Sequence, residues 1–470
     1  MILQKFLNQE KNRSKVYYFF IGVIFFVFVV QAVFFALNIK KGLPPDEGYH
    51  IALSEIYSKT FSIADNTEES YHLGQISNTP FLYHWLAGRV INVKDIFFPD
   101  SGNVVLLRLF SVFIGISNLV IALKVIRFIT RDKLVHILFL IMLSNTLMFV
   151  FMSGSVSYDP LSIFFPSIII LYSLRLFKYH KVKFLYSIVI FMAFGSLTKI
   201  TFLPFMLASS LVLILHESRY LKEYRKQFRN LAKILKRNIG LILLFILMFF
   251  SSALAVGFYG NNLIKYHSLK PSCSRVLPEE HCMKGAEFAH YYEAEKNALP
   301  RTERLRLLDY LSKWGGLMLD RTYGLCAHKS LLLDYNSFYS HLLILLFGFM
   351  ASIRYFDKDK IEHVFFLCLI FVYFIVLSVL TNYKSYLLHG ITDAAVQGRY
   401  LFPIIIPFYA LMSLSMLSSK NKYIRLIVFA ITSIVFIIGN IPFFLRGVTE
   451  EWFFLESTGI STVNLLKNFL

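Results

Sequence analysis

The sequence predicts an all-α integral membrane protein with about eleven transmembrane helices, within a range of ten to twelve, and two extracytoplasmic insertions. Three observations lead there: the composition, the number of long apolar runs, and the side on which the basic clusters fall. Of 470 residues, 56% are hydrophobic, 17% aromatic and only 16% charged, and the mean hydropathy is +0.58. Soluble proteins carry about 25% charged residues, so a soluble enzyme and a disordered scaffold are both excluded.

A bilayer core of about 30 Å is crossed by about 20 apolar residues in a helix. Such runs lie at 17–38, 104–126, 134–152, 157–177, 183–198, 200–215, 239–259, 338–353, 361–380, 400–418 and 424–446. The fifth and sixth are short and nearly continuous, which sets the lower count of ten. The first lacks a small-residue cleavage site and is too long for a signal-peptide core, so it stays as a helix. Lys5, Lys11, Arg13 and Lys15 precede it. With the N-terminus cytoplasmic, the remaining inside segments carry Arg127, Arg131 and Lys133; Arg175, Lys178, Lys181 and Lys183; the dense run Arg219 to Arg237, with Lys233 and Lys236; Arg354, Lys358 and Lys360; and Lys420, Lys422 and Arg425. Every short basic cluster then falls on one side. The opposite side receives the long segments 39–103 and 260–337, both belonging to one membrane domain, 1–470. The net charge of +19, from 48 basic and 29 acidic residues, is therefore a topology signal. The run 219–237 also suits contact with membrane lipid, and no nucleic-acid partner is expected.

The densest polar stretch follows the first span: Gly42-Leu43-Pro44-Pro45-Asp46-Glu47-Gly48-Tyr49-His50. The prolines fix an extended approach and favour a helix start just after them. Adjacent residues leave a helix in different directions, so Asp46 and Glu47 can face different partners, while His50 shares a side with Asp46. Acidic residues in a first turn also serve as plain helix caps. Further polar residues recur at the same outer level: Tyr158 and Asp159 at the start of the fourth span, Lys199 between the fifth and sixth, Gln397, Arg399 and Tyr400 at the tenth, and Arg108 at the second. Ionisable groups at membrane depth face a cavity or a partner, or snorkel to the interface; their common side points to one shared site. Carboxylates with Lys and Arg, and no Ser-His-Asp pattern, phosphate-cradling glycine loop or His-Glu-x-x-His run, suit transfer from a lipid phosphate. Cations stabilise the leaving phosphate and one carboxylate takes the proton of the attacking hydroxyl.

Pro44-Pro45-Asp46-Glu47 with His50, Asn78-Thr79-Pro80-Phe81-Leu82-Tyr83, Arg108-Leu109-Phe110-Ser111, Ser157-Tyr158-Asp159-Pro160 and Gln397-Gly398-Arg399-Tyr400-Leu401-Phe402-Pro403 resemble, in order from about 17 to 418, the GT-C superfamily of membrane glycosyltransferases. That superfamily includes protein O-mannosyltransferases and the aminoarabinose transferases of lipid A. The motifs look most like a bacterial multi-spanning family of unassigned function within it. The usual proline-rich stretch departs here, with Pro80 alone. The resemblance implies an inverting glycosyltransferase that uses a polyprenyl (undecaprenyl) phosphate sugar and an extracytoplasmic hydroxyl acceptor on a glycan or lipid-linked molecule, as in O-antigen modification at a bacterial inner membrane. It makes Asp46 the base and Glu47 its assistant, while charge and side make Arg399, Lys199 and Arg108 the phosphate ligands. His50, Asp159, Gln397, Tyr400 and Tyr158 complete the site. An O-antigen polymerase or ligase, or a lipid-linked glycan flippase, is the alternative; the latter places charges near the midplane in matched halves, which this chain does not show. No cofactor is expected, and a divalent metal on the carboxylate pair stays open.

In the first outside segment, Tyr49, Tyr57, Tyr71, Tyr83 and Trp85 suit sugar stacking or an interfacial helix. In the second, a helical stretch from Gly285 to Lys313 is interrupted at Pro300, and Leu305, Leu308 and Leu311 recur at three-residue spacing as a docking face. This helix docks on the membrane or on the first segment, capping the acceptor cavity, and His328 and Tyr339 have core, surface or substrate roles. Cys273 and Cys282, with eight residues between them, form a disulfide in an oxidising compartment, stay free, or bind zinc with His281 and His290.

Overall fold

A computed structural model describes residues 10–229, 239–298, 300, 303–393 and 395–453. Lys5, Lys233, Lys236, Arg237 and the side chains of Lys11 and Arg13 lie outside the described residues. The described residues are helical with no strand. The helices are α1 (Glu10–Asn38), α2 (Glu47–Ser58), α3 (Leu82–Phe97), α4 (Asn103–Ile129), α5 (Lys133–Ser144), α6 (Leu147–Ser153), α7 (Asp159–Tyr179), α8 (Val182–Ser196), α9 (Leu203–Glu217), α10 (Leu221–Arg229) and α11 (Ile239–Tyr266). Four short or amphipathic helices follow: α12 (Cys273–Val276), α13 (Glu279–Cys282), α14 (Ala286–Lys296) and α15 (Leu307–Tyr323). The chain ends in α16 (Tyr335–Tyr355), α17 (Ile361–Ile375), α18 (Lys384–His389), α19 (Phe402–Met416), α20 (Lys422–Ile438) and α21 (Ile441–Gly447).

Among the described residues, 9 stretches are long and apolar enough to cross a membrane, or 10 if the bent pair α5 and α6 counts as one span. The expected eleven is therefore not reached by length. The difference lies at α8, whose 15 residues reach about 23 Å at about 1.5 Å per residue, short of a bilayer core. At the bend of 66° between α5 and α6, Asn145 Nδ2 donates to the Ile141 carbonyl at 2.9 Å and Thr146 Oγ1 to that of Met142 at 2.8 Å. The Thr146 hydroxyl takes the Met142 carbonyl that its own N–H would have used, while that N–H turns to the Leu143 carbonyl at 3.4 Å, and the helix ends there. Asn440 bridges the break to α1 through Asn145 at 3.1 Å and Gln31 at 2.9 Å.

Packing is graded across the bundle. The spans at Asp159–Tyr179 and Gly398–Met416 are each 83% buried, whereas Ile239–Tyr266 is 6% buried and runs along the rim. α1 shows the one-sided pattern of a peripheral span: Phe28, Ala32 and Phe35 recur at helical spacing and are fully buried, while Phe19, Phe26 and Val30 on the other sides are exposed.

The bundle has two distinct ends. At one, Arg127 Nε donates to Tyr17 Oη at 2.9 Å, Tyr17 Oη meets His136 Nδ1 at 3.0 Å, Arg425 pairs with Asp132, and Lys178 lies 5.2 Å above the Phe128 ring. The start of α1, the ends of α4 and α7 and the starts of α5 and α20 thus share a basic end. The opposite end carries the insertions between α1 and α4 and between α11 and α16. The first insertion meets both the end of α11, where Asn78 Nδ2 donates to Asn262 Oδ1 at 2.7 Å, and the second insertion, where Tyr71 stacks on His281 at 4.2 Å. The stretch expected from Gly285 to Lys313 resolves into α14 and α15. The leucine spacing does not give the buried face of α15, because Leu308 is 79% exposed and Tyr310, Trp314 and Met318 turn inward instead. Trp314 Nε1 donates to Asn382 Oδ1 at 3.1 Å, on the π-helical stretch Val376–Tyr383 that continues α17. Cys273 and Cys282 are joined in a disulfide, so of the three alternatives neither free thiols nor a zinc site remains for this pair.

Candidate active site

The insertion end gathers most of the charged residues singled out in the sequence, through the starts of the two most buried spans. Asp159 opens α7, with Pro160 in its first turn. Arg399 sits in the 3-10 turn Gly398–Leu401 that leads into α19. A side chain at Gly398 would place its Cβ 2.0 Å from the Arg321 carbonyl oxygen of α15, so only glycine lets this turn reach that depth. Arg321 in turn pairs with Asp393 at 3.0 Å and donates to the Val396 carbonyl, which ties down the approach to the turn.

Asp46 and Glu47 separate as adjacent residues should, and their roles divide more sharply than the motif suggests. Glu47 is fully buried. Its carboxylate receives Arg108 Nε and Nη2, each at 2.8 Å, the Gly42 N–H at 3.0 Å and the Val156 N–H at 3.1 Å. Arg108 spends its other hydrogens on the carbonyls of Ala36 at 3.1 Å, Ile39 at 2.7 Å and Lys40 at 3.4 Å. The pair staples the end of α1 to α4 and to the turn before α7. Arg108 is therefore not a phosphate ligand in this arrangement: all of its donors are committed and none of its surface is exposed. Glu47, saturated in the same way, is committed to Arg108 and to the backbone on either side.

Asp46 stands at the N-terminus of α2 in the left-handed region, φ 58° and ψ 12°, with 51% of its side chain exposed. Its Oδ2 accepts from Arg399 Nη2 at 2.6 Å. Arg399 Nη1 reaches the Pro45 carbonyl at 3.4 Å and Asp159 Oδ2 at 3.5 Å, and its buried Nε has no hydrogen-bond partner among the described residues. Asp159 also accepts from Lys199 Nζ at 2.5 Å and Ser157 Oγ at 3.1 Å. Lys199 lies between two rings, 4.5 Å from Tyr158 and 4.7 Å from Tyr400, a setting that suits a desolvated cation. The result is an alternating chain, Asp46–Arg399–Asp159–Lys199, open to solvent only at Asp46. Burial works to raise the Asp46 carboxyl, but the Arg399 guanidinium, with His50 and Lys199, holds it below the usual carboxylate range.

His50 packs edge-on against Tyr158 at 4.5 Å and shares a 2.9 Å hydrogen bond with His84, which the sequence reading passed over although it adjoins Tyr83. Burial pushes His50 down to about 4 and His84 well below its ordinary value, so both are neutral at neutral pH. Gln397 starts the Arg399 turn by accepting the Tyr400 N–H at 2.9 Å, and its buried side-chain oxygen has no partner among the described residues. Of the second insertion, Glu287 lies within electrostatic reach of Tyr49 and Tyr400, a proximity for which the sequence offered no signal. The His328 N–H donates to the Leu43 carbonyl of the first loop at 3.2 Å, and Tyr339 is 44% exposed. Among the described residues no three His, Cys, Asp or Glu side chains gather as a metal-holding group; Arg399 bridges Asp46 and Asp159.

This arrangement of buried spans and insertions is similar in fold to a solved archaeal oligosaccharyltransferase. An oligosaccharyltransferase of Archaeoglobus fulgidus, solved with zinc and sulfate, aligns at a TM-score of 0.50 and 13% identity over 88% of this chain and 52% of its own. The same archaeal enzyme tethered to an acceptor peptide aligns at 0.49 and 13% identity, over 95% of this chain and 57% of its own. ArnT of Cupriavidus metallidurans bound to undecaprenyl phosphate aligns at 0.48 and 12% identity, over 89% and 75%. The chain thus spans little more than half the length of the archaeal enzyme. No protein-family model and no curated protein sequence matches it.

Proposed function

We propose that the chain is an inverting glycosyltransferase that moves a sugar from a polyprenyl phosphate, of the undecaprenyl kind, to a hydroxyl of a cell-surface glycan or lipid-linked acceptor. The observation that carries this reading is the Asp46–Arg399–Asp159–Lys199 chain, whose one exposed group is a carboxylate with a cation directly behind it. In the reaction the acceptor O–H gives its proton to Asp46 while its oxygen bonds to the anomeric carbon. The bond from that carbon to the phosphate oxygen breaks on the opposite side, and its electron pair leaves with the phosphate. Arg399, with Lys199 behind it, stabilises the charge that builds there, so no general acid is needed. Glu47 and Arg108 keep the Pro45–Asp46 backbone in place. The positive-inside rule puts the basic end in the cytoplasm with the N-terminus, and this site outside a bacterial inner membrane.

The test is transfer from undecaprenyl-phosphate sugars in membranes containing the protein. Asp46→Asn is expected to lower the rate at least about 100-fold at unchanged protein level; full activity in that variant sinks the base assignment. Arg399→Ala should raise the apparent KM for donor far more than that for acceptor. Activity with and without a chelator decides whether a divalent metal takes part.

A further inference from the structure

Asp46 and Asp159 share Arg399 but are held very differently. Asp159 is fully buried and bound by Lys199 at 2.5 Å and Ser157 at 3.1 Å. Asp46 is attached to the cluster through Arg399 at 2.6 Å, and half of its side chain already faces solvent. Its left-handed backbone, φ 58°, is a conformation that needs surrounding contacts to persist. The four charges sum to zero. A phosphate entering beside Arg399 adds a negative charge that this buried cluster does not balance unless one carboxylate gives up its cation.

We propose that the donor phosphate takes the place of the Asp46 carboxylate on Arg399, so that donor binding itself releases the base that receives the acceptor proton. The idea rests on the transferase reading above. Asp159 and Lys199 stay in place as the fixed anchor, and Asp159 keeps Arg399 pointed at the incoming anion. The exchange replaces one anion by one anion, which fits a sugar on a single lipid phosphodiester and disfavours a lipid diphosphate, whose second charge finds no cation to release.

The charged and titratable groups facing Asp46 are Arg399, Lys199 and His50, with Tyr49, Tyr158, Tyr291 and Tyr400 around them. In the resting site Arg399 makes Asp46 a weak proton acceptor. With Arg399 turned to the phosphate and a second anion nearby, both influences reverse and the carboxyl rises. A base works only when deprotonated, so activity falls as pH drops through its pKa. The acid limb of kcat/KM reports the free enzyme and that of kcat the donor complex.

The experiment is a pH profile of transfer by the full-length protein in lipid nanodiscs, with an undecaprenyl-phosphate sugar as the varied donor. The kcat limb is expected about one pH unit or more above the kcat/KM limb. Coincident limbs, or a lower kcat limb, overturn the exchange. In Arg399→Ala the separation should shrink, since only the nearby phosphate charge is left to raise the carboxyl; a separation as large as in the wild type overturns the exchange equally. If that variant does not fold, the wild-type profile decides alone. Absence of any transfer removes the transferase reading and this proposal together, whereas transfer with coincident limbs removes only the exchange.

Discussion

Glu47 accepts four hydrogen bonds, two of them from Arg108, with no surface exposed. Truncating one partner of such a pair strands the other as a buried charge, at a cost of about 3–5 kcal/mol. Glu47→Ala and Arg108→Ala are therefore expected to lower the thermal midpoint of the detergent-solubilised protein steeply, while Asp46→Asn leaves it nearly unchanged, as followed by size-exclusion fluorescence after heating. A normal midpoint with lost transfer in Glu47→Ala would return Glu47 to the chemistry. The sequence placed Asp46, Glu47 and Arg108 at one level of the membrane, but a pair of adjacent acids carries no mark of which one will be exposed. That is decided by what lies opposite each: three backbone carbonyls and Glu47 around Arg108, and Arg399 beside a half-open Asp46.

At the scale of elements, the site depends on helix starts and on the α15 backbone that passes the Gly398 turn. Gly398→Ala has to push that backbone away from a 2.0 Å approach, and overpacking of this kind costs about 1–3 kcal/mol. Both the thermal midpoint and kcat/KM should fall, because the displaced turn carries Arg399; unchanged transfer would show that the turn tolerates the shift. The motif Gln397-Gly398-Arg399-Tyr400 was legible in the chain, and so was its place before an apolar span. The reason for its glycine was not, since the crowding atom belongs to Arg321, 77 positions earlier. The same holds for α15, where an even leucine spacing suggested one face and tertiary packing against Asn382 selected another.

For the whole molecule, the basic end and the insertion end lie at opposite ends of α4 and α7. Single cysteines in place of Lys222 at one end and Glu69 at the other should react differently with a membrane-impermeant maleimide in intact cells. The Glu69 position is expected to label at once and the Lys222 position only after permeabilisation; the reverse pattern would invert the orientation. The sequence by itself determined the membrane class, the positions of the apolar runs and the side on which the polar motifs gather, because hydropathy and charge act locally along the chain. The tertiary structure alone decided that Arg108 serves Glu47 rather than a ligand, and that Asp46, Arg399, Asp159 and Lys199 alternate in one chain. Those outcomes depend on pairings across as many as 353 positions. In a medium that leaves no buried charge unpaired, each partner is chosen by the packing of whole helices and not by its neighbours in sequence.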